Sequence, residues 1–347
     1  MLLACIGQCG CLTFGTKQFY GDQLGYSQAV GDAEKSGTLL NVVRLRYADS
    51  PVVLQATQVI AGYQLQRNVT GGFEAFPAAN PSTFLSGSAS AQLQQSPTFT
   101  FQPLSGAQYA RSFIQPLSPA DLLPLAMGGL PIDVLFRLAV QSINGLSNAV
   151  LLAQVGAPGS PDFFLLLRDL RRLQIAGALS VRFHHETSGK SDGGQVYVYF
   201  GPTRDPELLA ASGETKRLLA LPPDATEAEV VYGVTPRHGE VAILSRSILG
   251  VLASLSIQID VPPEDVARNL THPTVGNIGL EHRPVVIIHS GPAAPAEAFT
   301  SVQYHHTWFW IAEDDFDSKV AFTVLQVLLA LGRTEIAAGA VVTIPAR

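Results

Sequence analysis

All three cysteines, Cys5, Cys9 and Cys11, fall within the first eleven residues, so the following 336 residues have no disulfide or thiolate site to hold them together. Whatever they fold into must be held by buried apolar surface. The material is there: 47% of the 347 residues are hydrophobic and 14% are charged, against a usual charged share of ~25%. That length suffices for a large core and two domains. No run reaches the ~18–20 apolar residues of a membrane-spanning helix. The most apolar stretch, residues 320–331, is interrupted by Thr323 and Gln326 and reads as a buried helix. A net charge of −6, with no basic cluster larger than Arg171-Arg172, excludes a nucleic-acid footprint.

The first fifteen residues read as an address. Apolar residues, then small ones, then cysteine is the order a lipoprotein signal requires, because the peptidase pocket is narrow and a cysteine thiol takes the diacylglycerol. Gly10-Cys11, followed by a polar stretch, makes Cys11 the expected lipidation site, and Leu2-Leu-Ala-Cys5 makes Cys5 the alternative. The positively charged leader segment of such signals is not among these residues, so the start of translation is expected upstream of Met1. Acyl chains add membrane affinity for each buried methylene, and a lipidated Cys11 would tether the protein without a spanning helix.

Composition divides the rest. Residues 1–155 hold seven basic and seven acidic side chains and sixteen glutamines; residues 156–347 hold fifteen, twenty-one and five. The turn-rich Val155-Gly-Ala-Pro-Gly-Ser-Pro161 lies at the change. This predicts a tether over residues 1–25, an N-terminal part over 26–155 and a C-terminal domain over 156–347. The expected class is α+β, with mixed or antiparallel sheets and packed helices. In the N-terminal part, Leu39, Leu40, Val43 and Tyr47 recur at helical spacing, predicting a helix over 26–47. Alternation around Val59–Leu65 and Ala91–Phe101 predicts two half-buried antiparallel strands, joined by a long Gly/Ser/Ala/Pro loop over 71–90. Residues 132–140 read as a strand running up to the turn signal Asn144-Gly145. In the C-terminal part, helices are expected over 162–176, 206–219, 246–256 and 315–331. Strands are expected over 178–184, 195–200, 229–232, 285–289, 302–305, 307–311 and 341–344. The strand-strand-helix-strand order occurs twice, which suggests a duplicated unit.

Several polar clusters carry candidate chemistry. His184-His185-Glu186 is the most site-like, since imidazoles and carboxylate are zinc ligands, but strand neighbours point to opposite faces. His305-His306 has the same defect. Glu313-Asp314-Asp315-Phe-Asp317 gathers carboxylates without the spacing or glycine of a calcium loop, and acids before a helix start are expected from capping. His289-Ser290-Gly291 lacks a nucleophile elbow. No metal and no cofactor is therefore expected, with His184, His185 and Glu186 as the weak metal candidates. Trp308 and Trp310 share one strand face, Phe309 and Ile311 the other. The tryptophan face is the candidate interaction surface.

Gly10-Cys-Leu-Thr-Phe-Gly15, Leu39-Leu-Asn-Val-Val-Arg-Leu-Arg-Tyr-Ala-Asp-Ser-Pro51 and Pro97-Thr-Phe-Thr-Phe-Gln-Pro-Leu-Ser-Gly106 carry a resemblance. So do Ser142-Ile-Asn-Gly-Leu146, Leu170-Arg-Arg-Leu-Gln174 and Trp308-Phe-Trp-Ile311 with Asp317-Ser-Lys319. In this order the chain resembles a family of functionally uncharacterised bacterial envelope lipoproteins. The resemblance implies export and lipidation at Cys11, and Leu12 after that cysteine implies outer-membrane sorting, facing the periplasm. It implies no reaction. The expectation is a binding or structural envelope protein, attached through its lipid and meeting an envelope protein partner. An envelope hydrolase, metal-dependent through His184 or His185 with Glu186, and a soluble cytoplasmic protein are the alternatives.

Overall fold

The computed structural model describes residues 16–52, 54–74, 84–103, 106–148, 159–184, 195–332 and 342–345. In chain order the elements are α1 (Thr16–Arg46), β1 (Leu54–Glu74), β2 (Phe84–Pro103) and α2 (Gly106–Tyr109), which runs into a π-helical turn, Ala110–Ile114. Next come α3 (Pro119–Met127), α4 (Ile132–Ala139), β3 (Val140–Ile143), β4 (Leu146–Ser147) and α5 (Pro161–Ile175). Then follow β5 (Leu179–His184), β6 (Gln195–Phe200), α6 (Pro206–Leu218), β7 (Glu227–Tyr232), β8 (Glu240–Ser245), α7 (Ile248–Ser256) and α8 (Pro263–Ala267). The last are β9 (His289–Gly291), β10 (Ala298–Tyr304), β11 (Thr307–Ala312), α9 (Phe316–Leu331) and β12 (Val342–Pro345). The class is α+β, as composition and pattern predict.

The chain divides into two units, and the cut is not at residue 155. One unit comprises residues 1–51 and 110–333; the other comprises 52–109 and 334–347. The composition change near 155 crosses a single sheet, because β3 before it pairs with β8 after it. A composition shift reports which surfaces face water, and one sheet can carry both kinds.

The larger unit holds a six-stranded sheet in the order β4-β3-β8-β7-β6-β5. Val196, Val198 and Phe200 of β6 and Ala228 and Val230 of β7 are buried on one face. The opposite face carries Tyr197, Tyr199 and the Arg182–Glu227 ion pair, with Arg182 stacked 3.6 Å over the Tyr199 ring. One packed and one wetted face is the expected habit of a largely antiparallel sheet. The exception is β7–β8, which run parallel yet are joined by only residues 233–239. A parallel connection usually takes a dozen or more residues. Gly233 and Gly239, at φ 153° and 81°, let the chain double back so tightly.

Residues 132–139 form α4, not the strand that their apolar run suggests. Ile132, Leu135, Phe136 and Ala139 recur at three- and four-residue spacing and are buried, while Asp133 and Arg137 fall on the other side, so the run carries a helical stripe that the strand reading overlooks. Gln174 of α5 fixes its start: its Oε1 accepts from the Ile132 amide at 3.1 Å, and its Nε2 donates to the Ala126 and Leu130 carbonyls. Arg246 fixes its end by donating to the Arg137 and Leu138 carbonyls. Burial pushes the Arg246 guanidinium down to about 10. The turn Asn144-Gly145, with φ of 48° and 79°, closes β3 onto β4.

A three-stranded antiparallel sheet, β10-β11-β9, buries Phe309, Ile311 and Val302. The Phe309 ring lies edge-on 6.2 Å from Tyr47, and Phe299 lies 6.2 Å from Phe322 of α9. Within residues 285–289 only His289 enters a strand. The Val285 and Ile287 amides instead donate to the side chains of Gln258 and Ser318.

The smaller unit is a long antiparallel hairpin, β1 with β2, to which β12 adds a short third strand on the β2 side. Residues 71–74 and 84–90, expected as loop, extend the two strands; 75–83 lie outside the described residues. Because β12 joins β2, not β10 and β11, the second strand-strand-helix-strand run does not form a unit like β5-β6-α6-β7.

Candidate functional site

The carboxylate cluster before α9 is a helix cap. Asp315 at the N-cap accepts from the Ser318 amide at 3.1 Å and from the Ser318 hydroxyl at 2.6 Å. The Arg283 guanidinium adds two contacts, at 3.2 and 3.3 Å. Ser318 is fully buried, and its Oγ accepts in turn from the Ile287 amide at 2.9 Å. Partial burial works against the Asp315 charge, but the bonds from Ser318 and Arg283 outweigh it and hold the carboxyl below its ordinary value. Asp317 pairs with Arg283 at 3.3 Å, and Glu313 is bonded by Lys319. These groups converge from 283, 287 and 313–319, and their hydrogen-bonding capacity joins the 283–288 segment to α9.

The histidines do not converge. His184 is exposed at the end of β5, its ring 4.6 Å from Tyr197, while His185 and Glu186 lie outside the described residues. His305 occupies a tight turn at φ 52° and packs against Tyr304 and Tyr47; His306 beside it is exposed. His289 and Ser290 are successive residues of β9, opposite Trp310 and Phe309, so they lie on opposite faces. Among the described residues no three His, Cys, Asp or Glu side chains gather as metal ligands.

Trp308 and Trp310 lie on the outer face of β11 and are half-buried, whereas Phe309 and Ile311 on the inner face are fully buried. His289 stacks on Trp310 at 5.7 Å, and a Cβ added to Gly291 would stand 3.2 Å from the same indole. The tryptophan face is therefore partly covered by β9.

Interior polar groups that the sequence does not advertise also do structural work. Tyr47 donates to Asp265 at 2.6 Å, and burial together with that bond raises its phenol above the ordinary value. Arg46 donates to the His272 carbonyl and Thr274, and Thr271 donates to the Arg46 carbonyl. The end of α1 is thus tied to residues 265–274. A cavity of about 30 Å³ lies between α3, α4, α5 and the six-stranded sheet, lined by Leu123, Phe136, Leu170, Val198 and Ile243 among others. Its lining is apolar throughout, so it gives a polar ligand no anchor. Among the described residues no helix is long and apolar enough to cross a membrane. No family model, curated protein or solved structure matches the chain.

Proposed function

We propose that this protein is a lipid-anchored component of the bacterial cell envelope, attached at Cys11, facing the periplasm, with a binding or structural role. The observation that carries the reading is the shape of α1. The helix begins five residues after Cys11 and runs for 31 residues, about 46 Å at 1.5 Å per residue. From Leu24 to Glu34 it is exposed or half-exposed, with Asp32, Ala33 and Glu34 open to water; from Thr38 it is buried, with Leu39, Val42 and Val43 fully so. A rod that is wet on the cysteine side and rooted in the core on the other suits a body held away from a membrane surface. Outer-membrane sorting rests on Leu12.

Among the described residues, the polar side chains of Asp315, Arg283, Gln174 and Arg246 serve caps and backbone groups, and the cavity beneath the six-stranded sheet has no polar lining. Both favour a non-catalytic role over the hydrolase. The test is acylation. Expressed behind a lipoprotein signal, the chain should incorporate labelled fatty acid, and Cys11→Ser should abolish the labelling. Labelling lost in Cys5→Ser but kept in Cys11→Ser moves the anchor, and no labelling at all refutes the reading.

A further inference from the structure

We propose that the β1–β2 hairpin spans a lipid bilayer, as this chain's share of a β-barrel closed by further copies of the same chain. The proposal rests on the envelope location argued above and says what the protein does there.

The pairing register sorts the hairpin into two faces of opposite character. On one face β1 places Ala56, Val59, Ala61, Tyr63 and Leu65. Directly opposite these, β2 places Phe101, Phe99, Pro97, Gln95 and Leu93. The other face places Gln58, Gln64 and Gln66 opposite Thr100, Gln94 and Gln92. A register shift between Ala56 and Gln58 keeps Ala56 in phase with the apolar set. The distant segment β12 obeys the same division: Val342 and Ile344 stand opposite Phe101 and Phe99, and Thr343 opposite Thr100. Gln95, Ile60 and Pro345, the last opposite Thr98, are the exceptions.

A sheet with one apolar face normally lies on a core. The described residues of this unit are the three strands, their flanking residues and the one-turn helix α2, and none of these supplies one. The dimensions fit lipid. From Ala56 to Leu65 is ten residues, about 33 Å along a strand and ~25 Å tall at a 40° tilt, the height of the apolar band of membrane barrels. Phe99 and Phe101 lie at one end of that span, where aromatic girdles sit. Arg67 closes the apolar run at the other, at headgroup depth. Between Gln58 and Thr70, and between Ser88 and Thr100, the polar face has no charge, which suits a water-filled interior.

The edges require more chains. Among the described residues β1 has no partner except β2, and β12 covers only Thr98–Phe101 of the far edge of β2. Open backbone donors and acceptors do not sit in hydrocarbon. The smallest membrane barrels have about eight strands, so two strands per chain implies at least about four copies.

The test uses the cysteine economy of the chain. With Cys5, Cys9 and Cys11 changed to Ser the protein has no thiol and no acylation site, so membrane entry is read independently of the anchor. Single cysteines at Val59, Ala61 and Leu65, or at Gln58, Gln64 and Gln66, carry an environment-sensitive fluorophore. Each purified chain is added to phosphatidylethanolamine–phosphatidylglycerol vesicles. At 59, 61 and 65 emission should shift to the blue and be quenched by lipid-attached nitroxide. At 58, 64 and 66 it should be quenched by aqueous iodide. Iodide quenching at all six positions overturns the proposal. So does a blue shift at the odd positions without nitroxide quenching, because protein then covers that face. Crosslinking of the vesicle-bound chain should give a ladder reaching at least four copies, and a monomer alone overturns the barrel. A chain that passes these tests yet is never acylated in cells retains the hairpin and loses the anchor.

Discussion

Asp315 shows how one residue can read as a ligand in sequence and serve as a joint in the fold. Its carboxylate satisfies the first turn of α9 and, through Ser318, the Ile287 amide of a buried extended segment. Replacing a capping Asp by Ala costs about 0.5–2 kcal/mol, so Asp315→Ala should lower stability at neutral pH by that order, read as a lower denaturant midpoint. The pH dependence has a definite sign. Because the folded carboxyl is held below its ordinary value of 3.8, its contribution is present above that value and fades as pH falls through the lower, folded one. The difference between the native protein and Asp315→Ala should therefore be constant from pH 7 to 5 and shrink below 4. A difference that grows on acidification contradicts this placement. Capping is legible in Glu313-Asp-Asp-Phe-Asp317, since acids before a helical stripe suit the dipole. The partners Arg283 and Ile287, some thirty residues back, leave no local pattern to find.

At the scale of elements, long periodic segments are legible and short apolar ones are not. Phe163, Leu166, Leu170 and Leu173 mark α5, and the alternation of Trp308, Phe309, Trp310 and Ile311 marks β11; both form as their patterns require. Residues 132–139 mislead because they are few: Ile132, Leu135, Phe136 and Ala139 mark a helical stripe, but over eight largely apolar residues it is easily taken for a buried strand. The run Val285–Ile288 has strand composition, but two of its amides are taken by Gln258 and Ser318, leaving only β9 to enter the sheet. Strand β8 escapes notice for a topological reason. It lies parallel to β7 across a seven-residue connection, where the expected order needs a helix. That connection depends on Gly239 at φ 81°. A side chain there costs about 1–2 kcal/mol in the left-handed region, so Gly239→Ala should destabilise the larger unit by that much in urea melts. Gly213, helical and with open space around it, is the control, and Gly213→Ala should be neutral or stabilising. Equal losses at both positions would refute the special role of the turn.

On the proposed reading the molecule meets the membrane at two places, Cys11 ahead of α1 and the β1–β2 hairpin. The larger unit has its own sheets and interior, and α1 leads out of it toward Cys11. The hairpin belongs to a separate unit, in which the described residues supply no core for its apolar face. The division is hidden from composition because the hairpin is inserted between Pro51 and Ala110, and the glutamine-rich half of the sequence is shared by both units. Two attachments predict redundancy, and fractionation of cells tests it most directly. Four chains are compared: the intact protein, Cys11→Ser exported behind a leader cleaved without acylation, a chain with residues 54–103 replaced by a Gly-Ser linker, and the double variant. The account predicts that both single variants stay in the membrane pellet after an alkaline wash. The double variant alone should be soluble, with the thermal unfolding of the larger unit unchanged. Quantitative release of Cys11→Ser, or retention of the double variant in the pellet, would contradict it.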